Sequence, residues 1–210
     1  MTKRLLLTLL RLLLGLIALI AIFSQLVIQI HNGFSILNFF SYFTNLSNLF
    51  AAAVLLYVAS RVFFRRDTSD LSDQVRYISV VNMAVVGVVF TVLLRGVDLG
   101  SLLPWINVLL HYVMPCAVVL DWLLQPPRVK LGVKRIAFCQ VFPVLYLVYV
   151  LYRGHLIGWY PYPFLNPANV GGYGGVAMYV AGIAVAFFFA SWLLLTVGNT
   201  LSRRAAVAHH

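Results

Sequence analysis

The sequence predicts an all-α, polytopic membrane protein: one domain over 1–210 with six transmembrane helices, N-in and C-in. Three observations lead there. Of 210 residues, 62% are hydrophobic and only 10% are charged, against about 25% charged in an ordinary soluble domain. The acids are five aspartates, at 67, 70, 73, 98 and 121, with no glutamate. Such a chain has too little polar surface to cover a core in water. Its apolar residues also fall in six runs near the length that crosses a hydrocarbon core of about 30 Å. In lipid every backbone group must be satisfied internally, so each run is read as a helix.

The six spans are about 5–30, 41–60, 77–95, 104–124, 136–152 and 173–198, the fifth being the shortest. The first has the basic start of a signal peptide. Its apolar stretch is too long for one, and no clean small-x-small cleavage site follows. Orientation comes from Lys and Arg in the short loops. Lys3 and Arg4 precede the first span. Arg61, Arg65, Arg66 and Arg76 lie between the second and third, and Arg128, Lys130, Lys134 and Arg135 between the fourth and fifth. Arg203 and Arg204 follow the sixth. These twelve of fifteen cations share one side, read as cytoplasmic. Only Arg95 and Arg153 face the other side, and Arg11 is expected to snorkel back to the cytoplasmic surface.

The net charge of +10 suits anionic lipid headgroups rather than nucleic acid. The cations sit in short loops, with no basic domain outside the spans. The loop 61–76 contains RRDTSDLSDQ, read as a polar linker whose aspartates moderate like-charge repulsion in a solvated role. Cys116 and Cys139 lack metal-type spacing and read as buried small hydrophobes. No metal and no cofactor are expected. The C-terminal AVAHH carries no fold content, and its His pair is left open between native sequence and a tag remnant.

The loop 153–172 differs in kind. Trp159, Tyr160, Tyr162 and Phe164 alternate with Pro161 and Pro163. Proline fixes φ and disfavours helix in the residue before it. A stiff, extended aromatic segment is expected at the outer interface. It serves either as an aromatic belt or as a wall over a lipid-accessible pocket.

Polar groups at membrane depth are costly, so their positions inform. Ser41, Thr44, Asn45 and Asn48 follow the spacing of one helix face and continue into Ala52. Packing alone is one reading, since interhelical hydrogen bonds average about 0.6 kcal/mol in membranes. His111 lies seven residues after Pro104, with Asn107 one turn before it and Pro115 one turn after. A core histidine is the bland reading. Both faces enter from the same side, Thr44 about 5 Å and His111 about 10 Å along their helices. A threonine hydroxyl needs a base to act as a nucleophile, and imidazole is the natural one. Asn45, Asn48 or Asn107 would donate to a developing oxyanion. Asn82, Gln25 and Gln29 are candidate pocket liners that read more simply as packing groups. Asp121 is read as a structural partner for a loop Arg or Lys near the cytoplasmic interface.

Three contexts carry a resemblance: Thr44 early in the second span, His111 shortly before Pro115, and Tyr162-Pro163-Phe164-Leu165 before the last span. Together with the topology they resemble the androgen-induced six-helix membrane proteins, which include the androgen-dependent regulators of tissue factor pathway inhibitor. The chain looks like a bacterial branch of that family. The resemblance implies an intramembrane threonine hydrolase of fatty acid esters of hydroxy fatty acids, with Thr44 as nucleophile and His111 as base. Its partners would be membrane lipids and a fatty-acyl ester substrate, in the bacterial cytoplasmic membrane. Trp159 and Tyr162 are expected to line the substrate site. Arg95, Arg153 or His155 at the outer rim are expected to hold a substrate carboxylate. Two rival readings remain: a transporter or channel, which the scarcity of midplane charge disfavours, and a non-catalytic lipid-binding scaffold.

Overall fold

A computed structural model describes residues 3–64, 69–97, 101–128 and 130–207. Arg65, Arg66, Asp67, Asp98, His209 and His210 lie outside the described residues. All regular structure among the described residues is helical. Six helices are long and apolar enough to span a membrane: Arg4–His31, Phe43–Phe63, Asp70–Leu94, Pro104–Leu124, Lys134–Ile157 and Tyr173–Arg204. The chain is an integral, multi-pass membrane protein on this ground.

In chain order, α1 is Lys3–His31, α2 the short Ile36–Phe40, and α3 Phe43–Phe63. α4 (Asp70–Val89) runs on through a π-helical turn, Phe90–Leu94. The fourth span is α5 (Pro104–Val108), a π-helical turn Leu109–Val113 and α6 (Met114–Leu124). α7 is Lys134–Ile157 and α8 is Tyr173–Val207, with 3₁₀ turns at Pro163–Leu165 and Pro167–Asn169 between them.

Local chemistry sets several of these ends. Ser69 caps α4 in a capping box with Ser72, and Asp70 and Asp73 lie in the positive first turn. Pro104 opens α5, where its missing N–H costs nothing. Gly158 closes α7 at φ +69°, a left-handed value that glycine adopts without strain. The π turn in the fourth span follows from Pro115. It has no N–H for the His111 carbonyl, and the ladder slips so that Met114 N–H donates to Leu109 O, five residues back.

α4 is the most buried span, and α7 and α8 are the least. One buried core holds Tyr77, Val80, Val81 and Met83 of α4 together with Ile22, Ile106, Leu110, Met114 and Trp122. α1 and α3 approach closely at Gly15, where a Cβ would meet Leu56 Cγ at 2.8 Å. A smaller cluster of Phe90, Leu94, Val150, Phe164, Leu165 and Val176 pins the aromatic loop onto the third, fifth and sixth spans.

The structure corrects five expectations. Ser41 is not on the helical face of Thr44, Asn45 and Asn48. It ends α2, because Tyr42 is extended and starts a new helix. The fifth span is not the shortest: it runs five residues past 152, which places Arg153 and His155 on α7 rather than in a loop. Arg11 does not snorkel. It is 2% exposed, and its Nε donates to Asp121 Oδ1 at 2.7 Å and an Nη to Gln125 Oε1 at 2.5 Å. Asp73 is not solvated; it pairs with Arg76 and accepts the Arg128 backbone N–H at 2.9 Å. Cys116 is exposed on the helix surface, whereas Cys139 is buried.

Asp121 is indeed a structural partner, but its partners sit on spans rather than in loops. Arg76 donates to both its carboxylate and its carbonyl at 3.2 Å. The starts of α1 and α4 thus meet the end of α6. Trp122 Nε1 donates to Leu194 O, which brings the end of α8 to the same level.

Candidate active site

At the end of the bundle opposite that ionic cluster lies a cavity of about 410 Å³. Thr44 and His111 both line it. So do Gln25 and Gln29 from α1, Asn38 and Tyr42 from the region of α2, and Trp159 through Pro163 from the aromatic loop. That loop is a wall of the cavity. It is less extended than its prolines suggest, since Pro163 and Pro167 each open a 3₁₀ turn.

Thr44 sits in the first turn of the 21-residue α3 and is 8% exposed. Its position at the positive end of a helix favours negative charge on or near its oxygen. Its backbone N–H donates to the Tyr162 hydroxyl at 3.3 Å, and its Oγ1 lies 3.5 Å from the same hydroxyl. Among the described residues the hydrogen-bond partner of Oγ1 is thus Tyr162, not His111.

His111 lies in the π turn and is 7% exposed. Its Nδ1 is 3.1 Å from Asn107 O. A carbonyl only accepts, so Nδ1 carries a proton, and in the neutral imidazole Nε2 holds the free lone pair. The imidazole stacks on Phe90, with centroids 3.9 Å apart and planes at 22°. Phe90 opens the other π turn, so the two irregular turns face each other across this pair. Gly87 makes room beneath: a Cβ there would meet Pro115 Cβ at 3.1 Å.

Asn48 links the two halves. It is fully buried, and its Nδ2 donates at 3.0 Å to both Thr44 O and Leu110 O. Both amide protons are therefore used, and Asn48 ties α3 to the π turn instead of facing the cavity. Asn45 lines the cavity, but its Nδ2 donates to Phe39 O at 2.8 Å. Asn107 and Asn82 lie outside the lining, each with a buried Oδ1 that lacks a partner among the described residues.

The three rim residues do not line the cavity either. Arg95 is exposed at the helix end. Arg153 donates to Asn38 Oδ1 at 2.6 Å and lies over the Trp159 ring. The His155 Nδ1 is 3.2 Å from the Tyr173 hydroxyl. Gln25 and Gln29 both line it and also brace its far wall, Gln25 bonding Ser101 O and Leu103 N, and Gln29 bonding Ser101 Oγ.

A second cavity, about 130 Å³, lies behind the first between α4, α7 and α8. Its walls are almost wholly apolar, including Val85, Val89, Val144, Leu147, Ile183 and Phe187. Thr44 and Tyr162 line both cavities, at the boundary between polar and apolar space. The walls of this apolar chamber come from four spans and the aromatic loop, so no local pattern in the sequence signals it. Among the described residues no group of three His, Cys, Asp or Glu side chains is placed to hold a metal ion. No family model, curated protein or solved structure matches the chain.

Proposed function

We propose that the protein is an intramembrane lipid ester hydrolase of the threonine type. The observation that carries this reading is Thr44 at the junction of a polar and an apolar cavity. An ester with an acyl chain on one side and a polar group on the other fits such a junction, its carbonyl beside the Thr44 oxygen. The resemblance at Thr44, at His111 and at Tyr162 to Leu165 points to the same chemistry. It also suggests a branched ester of a hydroxy fatty acid as the substrate type.

The proposed sequence of steps uses only groups in the cavity. His111 Nε2 takes the Thr44 hydroxyl proton as the oxygen bonds to the ester carbonyl carbon. The carbonyl oxygen becomes an oxyanion near the α3 N-terminus, with the Tyr162 hydroxyl as donor. Collapse breaks the bond to the alcohol, which leaves with the proton from His111. Water, deprotonated by the same imidazole, then attacks the acyl carbon; the bond to Thr44 Oγ1 breaks, the fatty acid leaves and His111 returns the proton to Oγ1. General-base assistance contributes about 10²–10⁴ in rate and an oxyanion donor about 10²–10³. The 3.5 Å between Thr44 Oγ1 and the Tyr162 hydroxyl leaves room for this contact to tighten in the transition state.

The basic clustering supports an arrangement with both termini in the cytoplasm and the cavity toward the outer half of a bacterial cytoplasmic membrane.

The decisive experiment is hydrolysis of a chromogenic long-chain ester, and of a branched fatty acid ester, by purified protein. Thr44→Ala and His111→Ala should each abolish turnover while the protein stays folded. An acyl adduct on Thr44 should be trapped at early times. Undiminished activity in either variant would sink the mechanism.

A further inference from the structure

The charge and hydrogen-bonding character of the outer cavity point to a head group different from a carboxylate. Among the described residues its lining includes no Lys, Arg, Asp or Glu. Arg153, which does not line it, is engaged with Asn38 and lies over the Trp159 ring. An anionic head group placed here would lose its hydration without gaining a charged partner, which is costly at this depth.

What the cavity offers instead is a balanced set of neutral groups. Gln29, Asn38, Asn45, Asn166 and Asn169 all line it, each with one end tied to the protein. Gln29 Nε2 donates to Ser101 Oγ, Asn45 Nδ2 to Phe39 O and Asn169 Nδ2 to Pro163 O. These bonds leave three carbonyl oxygens as acceptors. Asn38 Oδ1 accepts from Arg153 and Asn166 Oδ1 from Ala168 N. Those bonds leave two amide groups as donors. A carboxylate or phosphate only accepts, whereas a hydroxyl both donates and accepts. Several fixed donors and acceptors in one uncharged cavity therefore match several hydroxyls. Trp159 adds an aromatic surface for the C–H side of such a group.

We infer that the outer cavity binds a neutral, hydroxyl-rich head group, a glycerol or a sugar, carried on an acyl chain. As an account of the substrate this rests on the esterase reading and names its alcohol half: a polyol rather than a hydroxy fatty acid.

Two measurements on the full chain in nanodiscs separate this inference from that reading. The first is binding of non-hydrolysable probes: 1-O-hexadecylglycerol, hexadecyl glucoside, hexadecanol and palmitate. The glycerol ether or the glucoside should bind at least 10-fold tighter than hexadecanol and palmitate, and the stronger of the two identifies the head group. Gln29→Ala and Asn169→Ala should each weaken that polyol at least 5-fold and leave hexadecanol unchanged. Gln29→Lys should move the preference toward palmitate. Equal binding of polyol and hexadecanol, or tighter binding of palmitate to the wild-type chain, overturns the inference. The second is hydrolysis of the corresponding palmitoyl esters beside a branched ester of a hydroxy fatty acid. The polyol ester should be cleaved at least 10-fold faster in kcat/KM. Preference for the branched ester overturns the polyol assignment and leaves the esterase standing. Polyol binding without cleavage of any ester removes the esterase and leaves the head-group site.

Discussion

The Tyr162 hydroxyl accepts the Thr44 backbone N–H at 3.3 Å and lies 3.5 Å from Thr44 Oγ1. A residue from the loop after α7 therefore touches the first turn of α3, where the proposed nucleophile sits. Removing that hydroxyl by Tyr162→Phe should lower kcat by roughly 10²-fold, the usual effect of losing one oxyanion donor. KM should change little, because the ring still walls the cavity. Steady-state kinetics on a chromogenic ester provide the check, and an unchanged kcat would assign Tyr162 to packing alone.

The same phenol makes a prediction about pH. Burial pushes its pKa above the ordinary value, and the bonds from Thr44 pull more weakly the other way. A raised folded pKa means that the neutral form is favoured in the folded state. The resulting stability is complete below about pH 10 and is lost as pH climbs through the folded value. Between these limits the melting temperature of the wild type should fall more steeply than that of Tyr162→Phe. Parallel curves would show that Tyr162 does not titrate in this way.

Asn48 makes a different kind of contribution, through position. Its amide bonds both Thr44 O and Leu110 O, and Leu110 immediately precedes His111. Asn48→Leu should cost about 1 kcal/mol of stability, since membrane hydrogen bonds average about 0.6 kcal/mol each. It should also lower kcat by 10-fold or more, because small misplacements of reacting groups are costly. Thermal unfolding and kinetics on the same preparation separate the two effects. A loss of stability with full kcat would confine Asn48 to packing.

The ionic cluster of Arg11, Arg76, Asp73 and Asp121 holds the opposite end. Asp121→Asn leaves two buried guanidiniums short of a partner. It should destabilise the fold by about 3–5 kcal/mol, the usual effect of breaking a buried pair. Arg11→Met with Asp121→Asn should destabilise less than the two single changes summed. Unfolding in detergent with a denaturant series tests both statements, and strict additivity would mean that the pair does not interact.

Much of this was legible in the sequence. Six apolar runs separated by basic loops foretell six helices because lipid permits little else. Thr44 and His111 were readable as polar groups at matching depth, and Pro115 as a break in the ladder near His111. Three other features were not readable. Arg11 looks like a residue that snorkels until Asp121, 110 positions away, is seen to receive it. Asn48 looks like an oxyanion donor until both its protons are found on backbone carbonyls. Arg153 looks like a rim cation until the longer α7 turns it onto Asn38.

The sequence by itself therefore determined the solvent, the span count and the depth of the polar groups. Those properties follow from composition and from a rise of about 1.5 Å per helical residue. Only the tertiary structure decided which faces turn toward one another. It brought Thr44 and His111 to one cavity, set Tyr162 against Thr44 and opened an apolar chamber behind them. Helix rotation and partner choice depend on side chains from distant spans packing together, and no local pattern encodes that.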